Sequence, residues 1–235
     1  MKILLIRHGD PDYANDSLTE KGWREARLLS SRLEKLDVRE YFVSPLGRAQ
    51  DTIRPLLEKT GRTAVTIPWM REFPMHQVDE YTGRYHIVWD YMPRYRERYP
   101  EWDSPENWMD AHPFGQWETR PLVEEMWQGL DGILARYGYV REGRFYRVEK
   151  PSTDTIALVC HFGAGTILLS HLLNLSAMQL LHDTFMAPTS VTTVITEERE
   201  KGTAQWRTTG IGDISHLYTA GEPMSMSGFF QETFE

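Results

Sequence analysis

The sequence predicts an α/β fold: a three-layer sandwich in which helices cover both faces of a mostly parallel central sheet, with an aromatic-rich cap inserted. Three observations predict it. Apolar runs without polar alternation, at residues 2–6 and 155–160, read as strands buried on both faces. Segments with apolar residues at helical spacing separate such runs, which is the alternation of an α/β chain. Residues 73–117 then interrupt that alternation with Trp89, Trp102 and Trp108 among Pro74, Pro93, Pro100, Pro105 and Pro113.

The first strand, residues 2–6, ends in Arg7-His8-Gly9. Thr19 reads as the N-cap of the first helix, along which Trp23, Ala26, Leu29, Leu33 and Leu36 recur. Tyr41-Phe42-Val43 reads as the next strand and stops at Ser44-Pro45, where Ser suits an N-cap and Pro the first helical position. That helix runs to about Lys59 and ends at Gly61; residues 64–67 form a short strand stopped by Pro68. In the insertion, prolines preclude one long helix, while the aromatic content is unlike disorder. It reads as an ordered cap. Its charges, Asp79, Glu80, Asp90, Glu97, Glu101, Asp103, Glu106 and Asp110 against Arg84, Arg94, Arg96 and Arg98, do not make a basic groove.

A helix covers residues 118–137, with Leu122, Met126, Leu130 and Leu134 on one stripe. Tyr139-Val140 and Phe145-Tyr146 flank a turn and read as a hairpin. The strongest strand signal, residues 155–160, leads into His161-Phe162-Gly163 and an apolar helix. Residues 191–196 and 204–209, joined through Gly202, read as a hairpin closing the sheet, and the tail after Gly221 carries no pattern.

The chain has 235 residues with 26 Lys+Arg against 34 Asp+Glu, a net charge of −8, and 40% hydrophobic residues. That is the profile of an ordinary globular protein. The length admits one domain with an insertion or two small ones; the motifs below favour a single domain over residues 1–235 with the cap at about 73–117. The apolar stretch 3–6 is too short for a leader or a span, and residues 164–175 are broken by Ser170, His171 and Asn174, so no membrane association is expected. The single cysteine, Cys160, precludes an intramolecular disulfide and points to a reducing cytoplasm. The acidic balance argues against a nucleic-acid partner. A homodimer is open on this sequence.

His8 and His161 each directly follow an apolar strand. In an open α/β sheet, ligands bind outside the carboxyl ends of strands, so neighbouring strands would project both imidazoles into one crevice. Gly9 and Gly163 let backbone approach a ligand, and the helix opened at Gly163 favours an anion. Arg48, in the first turn of its helix, opposes the helix dipole, a cost that a bound anion offsets. The remaining histidines show no metal-ligand spacing.

These blocks resemble the histidine phosphatase superfamily, the phosphoglycerate mutase-like fold with its Arg-His-Gly signature. The resemblance rests on Leu5-Ile6-Arg7-His8-Gly9, Leu18-Thr19-Glu20-Lys21-Gly22, residues 44–52, Glu72-Phe73, His161-Phe162-Gly163 and Pro188-Thr189-Ser190-Val191, in the family's order. Many members carry Glu-Thr or Glu-Ser after Arg-His-Gly and an Asn shortly after; here the chain reads Asp10-Pro11-Asp12-Tyr13-Ala14, with Asn15 one place along.

The resemblance implies a metal-independent phosphomonoester hydrolase acting on a small phosphorylated metabolite. His8 is then the nucleophile that forms a phosphohistidine, Arg7, Arg48 and His161 hold the phosphate, and Glu72 donates the proton. No cofactor is implied. Phosphoglycerate mutase-type transfer and a catalytically inactive phospho-ligand binder are the alternatives. Each residue also has a plainer reading: core histidines, surface ion pairs, a solvated loop glutamate, and aromatics that only pack. Asp10 and Asp12 read as loop caps. Arg71 and Arg84 are the further cations expected near the pocket, and Trp89 and Tyr85 the expected contacts to the organic moiety.

Overall fold

The structure, a computed structural model, describes residues 1–229 apart from 75, 79–82 and 84. Asp79, Glu80, Arg84 and the Tyr85 side chain therefore lie outside the described residues. The strands are β1 (Lys2–Arg7), β2 (Pro11–Asp12), β3 (Ser17–Leu18), β4 (Val38–Val43), β5 (Ala64–Thr66), β6 (His76–Val78), β7 (Tyr85–Ile87), β8 (Tyr139–Glu142), β9 (Phe145–Val148), β10 (Thr155–Cys160), β11 (Val191–Glu200) and β12 (Thr203–Asp213). The helices are α1 (Glu20–Leu33), α2 (Gly47–Thr60), α3 (Arg94–Arg98), α4 (Thr119–Arg136), α5 (Phe162–Leu173), α6 (Ala177–Asp183) and α7 (Ser215–Ala220).

Eight strands form one sheet in the order β5-β4-β10-β1-β11-β12-β9-β8. The block β5-β4-β10-β1 is parallel, as the strand–helix alternation requires. Beyond β1 every pairing is antiparallel, so the sheet as a whole is mixed. The β11–β12 hairpin lies inside the sheet rather than closing it: β12 accepts β9 along Thr203↔Arg147, and the β8–β9 hairpin takes the edge.

Alternation along the central strands assigns side chains to the two faces. Leu4, Ile6, Tyr41, Val43, Ala157 and Val159 pack with Leu29 and Leu33 of α1 and Ile53 and Leu56 of α2. Ile3, Leu5, Phe42, Ile156, Leu158 and Cys160 face the other way, toward α4, α5 and the aromatic segment. Thr19 caps α1 as expected, its hydroxyl accepting from the Gly22 amide. Helix α2 departs from expectation. It starts at Gly47, and Ser44 is spent elsewhere. It ends at Gly61, whose φ of 66° needs no Cβ penalty there.

Residues 93–117 contain α3 and three short 3-10 turns rather than a long helix. They are held by ring packing: Trp102 and Trp108 are fully buried, Trp102 stacks on Tyr95 with planes 4° apart, and its Nε1 donates to the His112 carbonyl at 2.9 Å. Ser176 of the α5–α6 connection donates its hydroxyl to the Trp102 carbonyl, tying this segment to the sheet's helical layer.

Candidate active site

β1 and β10 are adjacent and parallel, with Arg7 opposite Cys160. The residues that follow therefore leave the sheet side by side, and the His8 amide donates to the Cys160 carbonyl at 2.9 Å. The helix after β1 packs on one face and the helix after β10 on the other, so a crevice opens between the two strand ends. In it the His8 and His161 rings lie 5.1 Å apart, inclined by 58°. The expected convergence is present.

His8 is 2% exposed, and its Nδ1 lies 2.7 Å from the Gly9 carbonyl. A carbonyl only accepts, so Nδ1 carries the proton and Nε2 keeps its lone pair. Burial, and then Arg7 and Arg48, hold its pKa well below the ordinary histidine value. His161 is 1% exposed and is likewise held well below by burial, His8, Arg48 and Arg7. Its Nε2 lies 2.7 Å from Ser44 Oγ, which itself accepts from the Leu46 amide at 3.3 Å. The Ser44 hydroxyl proton is thus free to donate to Nε2, which leaves Nδ1 of His161 as a buried donor. That atom has no partner among the described residues.

Arg7 donates Nη1 to the Met186 carbonyl and Nη2 to the Ser227 carbonyl, both at 2.8 Å. Arg48 donates Nη1 to Asp16 Oδ1 at 2.6 Å, and the other oxygen of Asp16 accepts from the Gly47 amide at 2.7 Å. The anion that offsets Arg48 at this helix start is therefore Asp16 of the chain itself. The Nε groups of both arginines are buried without partners among the described residues. Three unsatisfied polar atoms around two neutral imidazoles, each costing about 1–3 kcal/mol, describe a seat for an oxyanion.

Glu72 reaches the same place from the loop after β5. Its Oε1 accepts from the Phe73 amide at 2.9 Å and from the Ala164 amide, at the start of α5, at 3.0 Å. Burial raises its pKa, against the opposing pull of those amides, Arg7 and Arg48. Gly163 is glycine for want of room: a Cβ there would lie 2.8 Å from Glu72 Oε1 and 2.8 Å from the Trp89 ring. Arg71, by contrast, is exposed and turned to the Pro68 carbonyl. Asp12 is a loop cap as expected, accepting from the Ala14 and Asn15 amides, whereas the Asp10 carboxylate accepts from the Thr19 and Ser225 hydroxyls instead.

Three contributions escaped the sequence reading. Ser44 pairs with His161, Asp16 holds Arg48, and the tail after Gly221 is built into the site. Lys21 and Arg24 grip Glu222, the Ser225 hydroxyl donates to Asp10, and Ser227 holds Arg7. Only the serines and glycine of residues 225–228 hint at such a close crossing. Among the described residues, no group of three His, Cys, Asp or Glu side chains is placed to hold a metal ion. No helix is long and apolar enough to cross a membrane among the described residues.

The family model of the histidine phosphatase superfamily (branch 1) matches residues 3–209. The chain is 35% identical over 77 residues to a 2,3-bisphosphoglycerate-dependent phosphoglycerate mutase of Thermoplasma acidophilum, a stretch covering 28% of this chain and 38% of that relative. It is 26% identical over 196 residues to an adenosylcobalamin/alpha-ribazole phosphatase of Salmonella typhi, covering 77% of this chain and 84% of that one. The solved structure of a mutant phosphoserine phosphatase from Entamoeba histolytica in complex with phosphoserine has the same fold. It aligns with a TM-score of 0.61 at 19% identity, over 92% of this chain and 98% of that one.

Proposed function

Because this chain belongs to the histidine phosphatase superfamily (branch 1), we propose that it is a phosphomonoester hydrolase working through a phosphohistidine on His8. The observation that carries the reading is the pair of neutral imidazoles 5.1 Å apart, set between two arginines whose Nε groups lack partners among the described residues. Nε2 of His8 attacks phosphorus, forming a P–N bond as the ester P–O bond breaks. Arg7, Arg48 and Nδ1 of His161 hold the phosphoryl oxygens as charge shifts onto them. Glu72, protonated, gives its proton to the departing alkoxide and as carboxylate takes one from the water that then cleaves the P–N bond. Phosphate leaves with its oxygens complete. No metal takes part in this scheme.

Incubation with a labelled phosphate ester tests it. The expected results are inorganic phosphate as product, an acid-labile phosphoryl group on His8 trapped by rapid quench, and a loss of about 10³-fold or more in His8→Ala. Wild-type turnover in His8→Ala would overturn the assignment. A second reading, return of the phosphoryl group to a bound product, is favoured by the matched segment of the Thermoplasma mutase. Isomerised ester in place of free phosphate would select it, and phosphate binding without any turnover would select the inactive binder.

A further inference from the structure

Beside Arg7 the molecule has a chamber of about 190 Å³. Its walls include Trp89 from the aromatic segment, Phe162 at the start of α5, Phe185 after α6, and Phe229 from the tail. Phe162 meets Trp89 edge-on at 5.5 Å and Phe185 at 6.4 Å, and Phe185 meets Phe229 at 4.9 Å. Four stretches of chain far apart in sequence thus bring rings together around one space. The chamber lies against one wall of the oxyanion seat, Arg7, whose guanidinium carbon is 5.7 Å from the Phe162 ring and 5.8 Å from the Phe185 ring. Trp89 also borders Gly163 next to Glu72, so the chamber's wall reaches the group that faces a leaving alcohol.

We propose that this chamber receives the leaving alcohol, and that the substrates are monophosphate esters whose alcohol carries one flat, uncharged ring. The inference rests on the hydrolase reading above and adds the substrate class to it. None of the described residues lining the chamber is an acid, a lysine or an arginine, and burial holds the one histidine there, His182, below its ordinary pKa. Arg7, the cation that borders these walls, is committed to the Met186 and Ser227 carbonyls, so an alcohol bearing a carboxylate meets no spare counter-ion among the described lining residues, whereas an aromatic ring packs edge-to-face or offset on them. Size agrees. An apolar cavity of about 150 Å³ holds benzene, so this one accommodates a single ring with a short linker to the phosphate.

The test compares esters whose alkoxides leave with similar difficulty: 2-phenylethyl phosphate, ethyl phosphate and 3-phosphoglycerate. The expected kcat/KM favours 2-phenylethyl phosphate by about tenfold or more. In Phe229→Ala that preference, read as the ratio of kcat/KM for 2-phenylethyl phosphate to that for ethyl phosphate, falls about fivefold. 2-Phenylethanol inhibits the wild type competitively and Phe229→Ala more weakly. Equal use of the three esters, or a preference that Phe229→Ala leaves intact, overturns the chamber's role. Should no ester be hydrolysed and His8 take up no phosphate, the hydrolase reading fails instead. Direct titration with 2-phenylethanol then decides the chamber separately: saturable binding weakened in Phe229→Ala supports it, and no binding overturns it.

Discussion

His8 and Glu72 share the crevice but are displaced in opposite directions by the same cause. Burial disfavours the charged form of each, lowering the imidazole and raising the carboxyl. Under the proposed roles, both are thereby brought to the protonation state that the first step uses, a free nucleophile and a loaded acid. The sign of the pH dependence follows. His8 stays neutral below the ordinary histidine value of about 6.5, so the acid limb of kcat/KM lies below that pH. Glu72 keeps its proton above the ordinary carboxyl value of about 4.3, and the alkaline limb marks its loss. A rate profile from pH 4 to 9 is expected to hold its activity below the ordinary histidine value and to fall only above the ordinary carboxyl value. Glu72→Gln is expected to flatten the alkaline limb and to cost about 10²-fold in kcat with an alkyl phosphate. With p-nitrophenyl phosphate, whose phenolate leaves without a proton, the cost should be far smaller; an equal loss on both esters would contradict the proton-donor role.

Helix α2 shows how one element's start is made by another. Its N-cap, Leu46, offers no side-chain acceptor, so the first turn would expose both free amides and Arg48 at the positive end of the dipole. Asp16, held at φ 45° in the loop between β2 and β3, supplies the carboxylate to the Gly47 amide and to Arg48 at once. Gly47 has no alternative: a Cβ there would collide with the Asp16 carbonyl oxygen. Asp16→Ala is expected to remove about 1 kcal/mol of capping, seen as a melting midpoint about 2–4 °C lower. It should also release Arg48 to several rotamers and raise KM for a phosphate ester by about tenfold. Asp16→Asn, which keeps the cap and loses the charge, should restore the midpoint and only part of the KM. An unchanged KM in Asp16→Ala would mean that Arg48 is positioned without it.

Across the whole molecule, burial of neutral histidines couples folding to pH. His8, His161 and His182 are all lowered by burial, and His216 is brought down to about 4. Below about 6.5 the unfolded chain binds protons that the native chain refuses, so the stability present above that pH is lost as the pH falls toward 4. Glu25 and Glu72, both raised by burial, act in the opposite sense above the ordinary carboxyl range. Four histidines outweigh two carboxyls. The urea midpoint is therefore expected to be lower at pH 5 than at pH 7.5, and a midpoint that is flat or higher at pH 5 would count against this balance.

Strand ends, helix spacing and the Arg7-His8, Arg48 and His161 motifs were legible in the chain, because each depends on a few neighbouring residues and a period of two or 3.6. So was the parallel block of the sheet, since a strand followed by a helix returns only beside a parallel neighbour. The places of the hairpins β8–β9 and β11–β12 were not, because either could occupy the edge with the same alternation of side chains. Nor were the partners Ser44, Asp16 and Ser227 legible: each meets its histidine or arginine across 117, 32 and 220 positions respectively. Local pattern names the groups on which the proposed function rests. Which oxygen holds each of them, and which rings enclose the space beside them, is decided only when distant stretches close on one another, since hydrogen-bond geometry and packing depend on distance in space and not along the chain.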